Sequence, residues 1–189
     1  GAKGERPANT VVSVRHGIAS GASCVEVDLQ MTADGEIVVH HNSTLDETTD
    51  GQGRVSATTL AEIRKLDAGS WFDPKYHGER IPTLRQTLAL CRDQIDLLLD
   101  LKVQGSEFNQ KVAREIRAYG SMKRTIIGVR SAEQAREFRR LVGTCRQLGL
   151  TRGPEQIDDF VAAGVQMIRL RKRSLPDPAN LQRLRKHGV

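Results

Sequence analysis

Residues 95–150 read IDLLLDLKVQGSEFNQKVAREIRAYGSMKRTIIGVRSAEQAREFRRLVGTCRQLGL. Apolar runs at 95–103, 125–129 and 144–150 are strand-like, and each run between them carries a helical period. Phe108, Val112 and Ile116 stand four apart, a stripe that lies along one side of a helix. Ser131, followed by Glu133, opens the next helix, over 132–141. Strands alternating with longer helices predict βαβ units and a parallel sheet. The near-continuous apolar character of the strands fits burial on both faces. Downstream the alternation continues as a helix over 154–163 stopped at Gly164, a strand over 165–170, and a helix over 178–187 stopped at Gly188.

Upstream the pattern starts with a helix over about 10–21, with Asn9 or Thr10 as its cap, and a strand over 23–29. A turn at Asp34-Gly35 leads into a second strand at 36–40. Residues 42–55, NSTLDETTDGQGRV, are rich in turn formers and read as an exposed loop. A short helix follows, capped by Thr58 or Thr59. Then comes a long loop over 67–84 that holds the single tryptophan, and Thr83 opens a helix over 83–92. About six strand-forming segments result. The expected architecture is an α/β, TIM-type (β/α) barrel, incomplete at six of eight strands and forming one domain over residues 1–189.

The chain has 189 residues, 38% apolar and 28% charged, which suits a packed globular domain. No run approaches the ~20 apolar residues of a membrane span. Three dispersed cysteines lack metal or disulfide spacing and are expected as buried thiols; they lean toward a reducing, cytoplasmic compartment. The net charge of +6 is unevenly spread: −4 over residues 1–102 and +10 over 103–189. A basic half attracts anions, but 4% aromatic content leaves little for base stacking, so nucleic acid is not an expected partner.

Glu26 and Asp28 stand two apart on one strand, and so do Asp100 and Lys102 on another, so each pair faces one side. By itself the first pair also fits a solvated strand face, and the second a salt bridge. In a barrel these strand ends converge. Three carboxylates without a soft ligand suit a hard cation, Mg2+ or Ca2+. A lysine among them fits a phosphate bound beside the cation, or a structural ion pair. Only one of His40 and His41 can face such a site, and alternation selects His41, placed to protonate a leaving alkoxide.

These residues lie within a series of motifs: PANT (7–10), Glu26-Val27-Asp28, Thr32-Ala33-Asp34-Gly35, VVHHN (38–42), TTDGQG (48–53), DAGSWF (67–72), IPTL (81–84) and Asp100-Leu101-Lys102. Together they resemble the glycerophosphodiester phosphodiesterase family over essentially the whole chain. The resemblance implies a TIM-type barrel and cation-dependent cleavage of a small glycerophosphodiester to glycerol 3-phosphate and an alcohol. Glu26, Asp28 and Asp100 match the family's metal ligands, His41 one of its two catalytic histidines, and Lys102 its phosphate-side lysine. Three positions depart from the pattern: Asp100 stands for the usual glutamate, Ala8 for the glutamate of PENT, and Asn42 for the aspartate after the histidine. A relative that only binds phosphodiesters or anionic ligands through its basic half is the alternative. Five residues, 2–6, separate Gly1 from Pro7, the same number that separates the glycine of the family's HRG from PENT. The expectation is therefore a piece of a longer protein cut at both ends, with His-Arg just upstream, inactive alone and active at full length.

Overall fold

The computed structural model describes residues 2, 4–170 and 177–188; Gly1, and with it the HRG assignment, lies outside them. The elements in order are α1 (Val11–Ala19), β1 (Cys24–Met31), β2 (Ile37–Val39), α2 (Leu60–Ile63), α3 (Leu84–Cys91), β3 (Asp96–Leu101), α4 (Ser106–Tyr119), β4 (Thr125–Val129), α5 (Ala132–Leu141), β5 (Arg146–Leu150), α6 (Ile157–Ala162), β6 (Met167–Arg169) and α7 (Pro178–His187). The strands form one sheet in the order β2-β1-β3-β4-β5-β6. From β1 to β6 every pairing is parallel, with a helix in each crossover, as the alternation predicts. The fold is α/β of TIM type, and among the described residues the sheet does not close into a barrel.

Local signals account for most element ends. Thr10, Thr59, Thr83 and Ser131 each accept a backbone N–H from the first turn of the helix they precede, and Thr59 and Thr83 complete capping boxes with Glu62 and Gln86. Gly188 ends α7 in the left-handed region, at φ 69°. Phe108, Val112 and Ile116 are all buried, as their spacing requires.

Four expectations need correction. β2 pairs with β1 antiparallel, because the five-residue turn 32–36 folds the chain straight back and leaves no room for a crossover. The short helix after Thr59, expected over the run LAEIRKLD (60–67), spans only Leu60–Ile63. The helix over 154–163 begins as a 3-10 turn, Pro154–Gln156. Cys91 and Cys145 are buried free thiols, but Cys24 is free and exposed, at the outer end of β1.

The alternation within β1 and β3 positions everything that follows. Val25, Val27 and Leu29, with Leu97, Leu99 and Leu101, point toward the helices and enter the main core beside Val14, Phe108, Val112, Ile116, Ile127 and Phe138. The intervening residues of both strands, Glu26, Asp28 and Asp100 among them, therefore face the other side of the sheet. A second, smaller core of Val38, Leu45, Val55, Ile63, Ala68 and Ile81 supports the long segment between β2 and α3.

That segment is organised by one carboxylate. Asp67 is buried and accepts from the N–H groups of Gly69 (2.9 Å), Ser70 (2.7 Å) and Gly78 (2.6 Å), with His77 against it at 2.9 Å. These bonds, that from Gly78 first, hold its carboxyl well below the usual carboxylate range. Gly69 is required for a steric reason, since a Cβ there would strike the Tyr76 carbonyl. Asp67→Asn would turn an amide N–H toward the Gly78 donor. We expect a cost of roughly 2 kcal/mol, a fall in Tm of about 5 °C. Because the folded pKa lies below the unfolded value of ~3.9, the carboxylate's contribution is complete above that pH and is lost as pH falls below it. Thermal melts from pH 7 down to pH 2 should thus show a gap that is constant above about pH 5 and narrows below about pH 4; a gap still unchanged at pH 2 would refute the assignment.

Candidate functional site

The parallel register sets Asp28 directly opposite Asp100, with Glu26 two residues earlier on the same face. One oxygen from each of the three lies within 4.8 Å of the others. Carboxylates facing each other across neighbouring strands repel, so the cluster requires positive charge. Part comes from Lys102, just past the end of β3. Its Nζ donates to Asp28 Oδ1 at 2.7 Å and to Asp100 Oδ2 at 2.6 Å.

The electrostatics follow from this geometry. Burial, then the charge of Asp28, raises the pKa of Glu26. For Asp28 burial acts in the same sense, but the bonds from Lys102 and Asn9 outweigh it and the net shift is downward. Burial disfavours the Lys102 ammonium, yet its bonds to Asp100 and Asp28 prevail and its pKa is raised. Lys102 is therefore a fixed cation.

His40 and His41 part as strand alternation predicts. His40 is buried with Nε2 against the Thr44 carbonyl at 2.8 Å, and its backbone N–H donates to the Asp28 carbonyl. His41 is exposed and lines an open cleft of about 660 Å3 with Lys102, Gln104, Arg130, Ser131, Arg152 and Gln156. Gln30 holds the histidine segment by donating to the carbonyls of His41 and Asn42. Asn42 Nδ2 donates to Glu47 Oε2 at 2.7 Å. A carboxylate only accepts, so the amide oxygen is the atom turned to His41 Nδ1, 2.6 Å away. His41 Nδ1 therefore carries a proton and donates it to Asn42, leaving Nε2 as the atom available for chemistry. An Asn–Glu relay thus fills the position where the family motif has one aspartate.

All five residues singled out from sequence, Glu26, Asp28, His41, Asp100 and Lys102, meet at this end of the sheet. Two more were not singled out. Asn9 adopts φ 58°, a left-handed conformation that asparagine tolerates better than most residues. Its side chain donates to Asp28 Oδ2 at 2.8 Å and accepts from the Asp28 backbone N–H at 3.1 Å, holding the residue by its carboxylate and by its backbone. Arg130, just past β4, donates to Asp100 Oδ1 and, at 2.8 Å, to the Leu101 carbonyl. Its place directly after a strand was the available signal. Asp100 is thus held from both sides, by Lys102 and Arg130.

An open TIM-type sheet with acids, a lysine and a histidine at the carboxyl ends of its strands defines the class: a barrel fold whose site lies at the strand-end mouth. The glycerophosphoryl diester phosphodiesterase family model matches residues 1–145, and the chain belongs to that family. A glycerophosphodiester phosphodiesterase of Caldanaerobacter subterraneus subsp. tengcongensis is 35% identical over 154 residues, 76% of this chain and 63% of that protein. One of Bacillus subtilis is 45% identical over 96 residues, 47% of this chain and 33% of that protein. The chain thus spans less than two thirds of the length of either relative. The crystal structure of a glycerophosphodiester phosphodiesterase from Agrobacterium tumefaciens superposes with a TM-score of 0.84 at 28% identity, covering 100% of this chain and 81% of that one. Among the described residues no helix is long and apolar enough to cross a membrane.

Proposed function

We propose that this chain carries the site of a metal-dependent glycerophosphodiester phosphodiesterase, which hydrolyses its substrate to glycerol 3-phosphate and an alcohol. The observation that carries the reading is the three-carboxylate cluster with Lys102 set into it and His41 above it. The donors fit a divalent cation: all are carboxylate oxygens, they lie close together, and two are registered against each other with charge to neutralise. Glu26, Asp28 and Asp100 would hold Mg2+ or Ca2+, which supplies Lewis acidity and a template for phosphate oxygens.

The chain's own residues do the remainder. Lys102 stays protonated and presents positive charge at the cleft wall, where a phosphate oxygen beside the carboxylates would meet it. Asn9 and Arg130 keep Asp28 and Asp100 from swinging away. His41, held through Nδ1 by Asn42, offers Nε2 to the cleft. In hydrolysis a water oxygen becomes bonded to phosphorus and the bond from phosphorus to the alcohol oxygen breaks; His41, entering protonated on both nitrogens, gives its Nε2 proton to that departing oxygen, and the proton released by the attacking water passes through solvent and restores it. The asparagine at position 42 leaves the ring held without placing a full charge on it.

The test is turnover of a glycerophosphodiester by the full-length protein before and after chelation. We expect release of glycerol 3-phosphate that stops with the chelator and returns with added Mg2+ or Ca2+. Binding of the diester without any hydrolysis would overturn the enzymatic reading in favour of a ligand-binding relative.

A further inference from the structure

The cleft carries more positive charge than the carboxylates and one reacting phosphate engage. Lys102 is committed to Asp28 and Asp100, and Arg130 to Asp100 and the Leu101 carbonyl. Arg152, just past β5, is exposed on the same wall. Its backbone is fixed, with its N–H donating to Gln156 Oε1 at 2.6 Å. Its guanidinium makes no hydrogen bond or ion pair among the described residues. Among the described residues no aspartate or glutamate lines the cleft beside it. The amino end of α5, capped by Ser131, opens on the same space and adds its partial positive charge.

We propose that Arg152, with the amino end of α5 lining the same cleft, forms a subsite for an anionic group on the alcohol portion of the substrate, a second phosphate in particular. The proposal rests on the phosphodiesterase reading and deepens it. If His41 protonates the departing alcohol oxygen, the alcohol occupies the cleft that His41 lines. About 660 Å3 is room for a sugar-sized alcohol. A guanidinium matches phosphate oxygens two at a time, and one without a competing carboxylate is available to do so. The preferred diesters are therefore those with an acidic alcohol rather than a cationic one such as choline.

The experiment compares kcat/KM of the full-length protein for glycerophosphoinositol 4-phosphate and for glycerophosphoinositol, which differ only by a phosphate on the alcohol. In wild type we expect the phosphorylated substrate to be favoured roughly tenfold, with the preference shrinking as salt rises. Arg152→Gln should bring the ratio close to one, and Arg152→Lys should keep part of it, because lysine retains the charge but not the planar fork. A wild-type ratio of one overturns the subsite and leaves the phosphodiesterase reading intact. An equal loss on both substrates in Arg152→Gln also overturns it, since the arginine would then serve the reacting phosphate they share. Failure to turn over either substrate overturns the subsite together with the reading beneath it.

Discussion

We expect His41→Ala to lower kcat on a glycerophosphodiester by roughly 10²–10⁴-fold, the range of a lost general acid, and to leave cation affinity unchanged. The expectation follows from what holds the ring. Gln30 fixes the backbone of 41 and 42, and the Asn42–Glu47 pair orients the ring through Nδ1, so the side chain can be removed without disturbing the carboxylates. The informative measurement is leaving-group dependence. With an activated leaving group such as nitrophenolate, which departs without a proton, the deficit of His41→Ala should largely vanish. An equal deficit on alkyl and nitrophenyl substrates would remove His41 from the acid role and make it a substrate contact.

Asp28→Ala is expected to weaken divalent-cation affinity by more than roughly 100-fold, beyond what the loss of outer-shell partners costs, and turnover falls with it. Asp28 is tied into the cluster from several sides. It meets Lys102 at 2.7 Å and Asn9 at 2.8 Å, and stands opposite Asp100 in the register. Removing it would take away one proposed ligand and also free Lys102 to lie wholly against Asp100, where it would compete with a cation. Calorimetric titration with Mg2+ and with Ca2+, alongside Tm, separates the possibilities. Loss of cation binding with a folded chain supports the assignment. Unchanged cation affinity would reduce Asp28 to a structural partner of Lys102. Raising cation concentration should restore part of the turnover to this variant and none to His41→Ala, so the two residues are distinguished by their response.

The strand–helix alternation, the helix caps and the positions of the acids were legible in the sequence because each is a short-range property. Thr59, Thr83 and Ser131 cap because their oxygens reach N–H groups three residues on. Glu26 and Asp28 share a face because strand geometry repeats every two residues, and the same rule sent His41 to the cleft and His40 inward. The antiparallel return of β2 was implicit in a turn too short for a crossover, although the dominance of βαβ units concealed it.

What the tertiary structure alone decided is everything that depends on register and on long-range packing. No spacing rule places Asp28 opposite Asp100 across 72 residues, sets Asn9 in a left-handed conformation against Asp28, or brings Arg130 onto Asp100. Each needs the sheet to have formed in one alignment, since a one-residue slip would turn the carboxylates toward the helices. The basic character of the second half was visible as composition. Only the fold showed that two of its arginines, Arg130 and Arg152, stand at the mouth over the acids of the first half, because successive parallel strands bring their carboxyl ends to the same side.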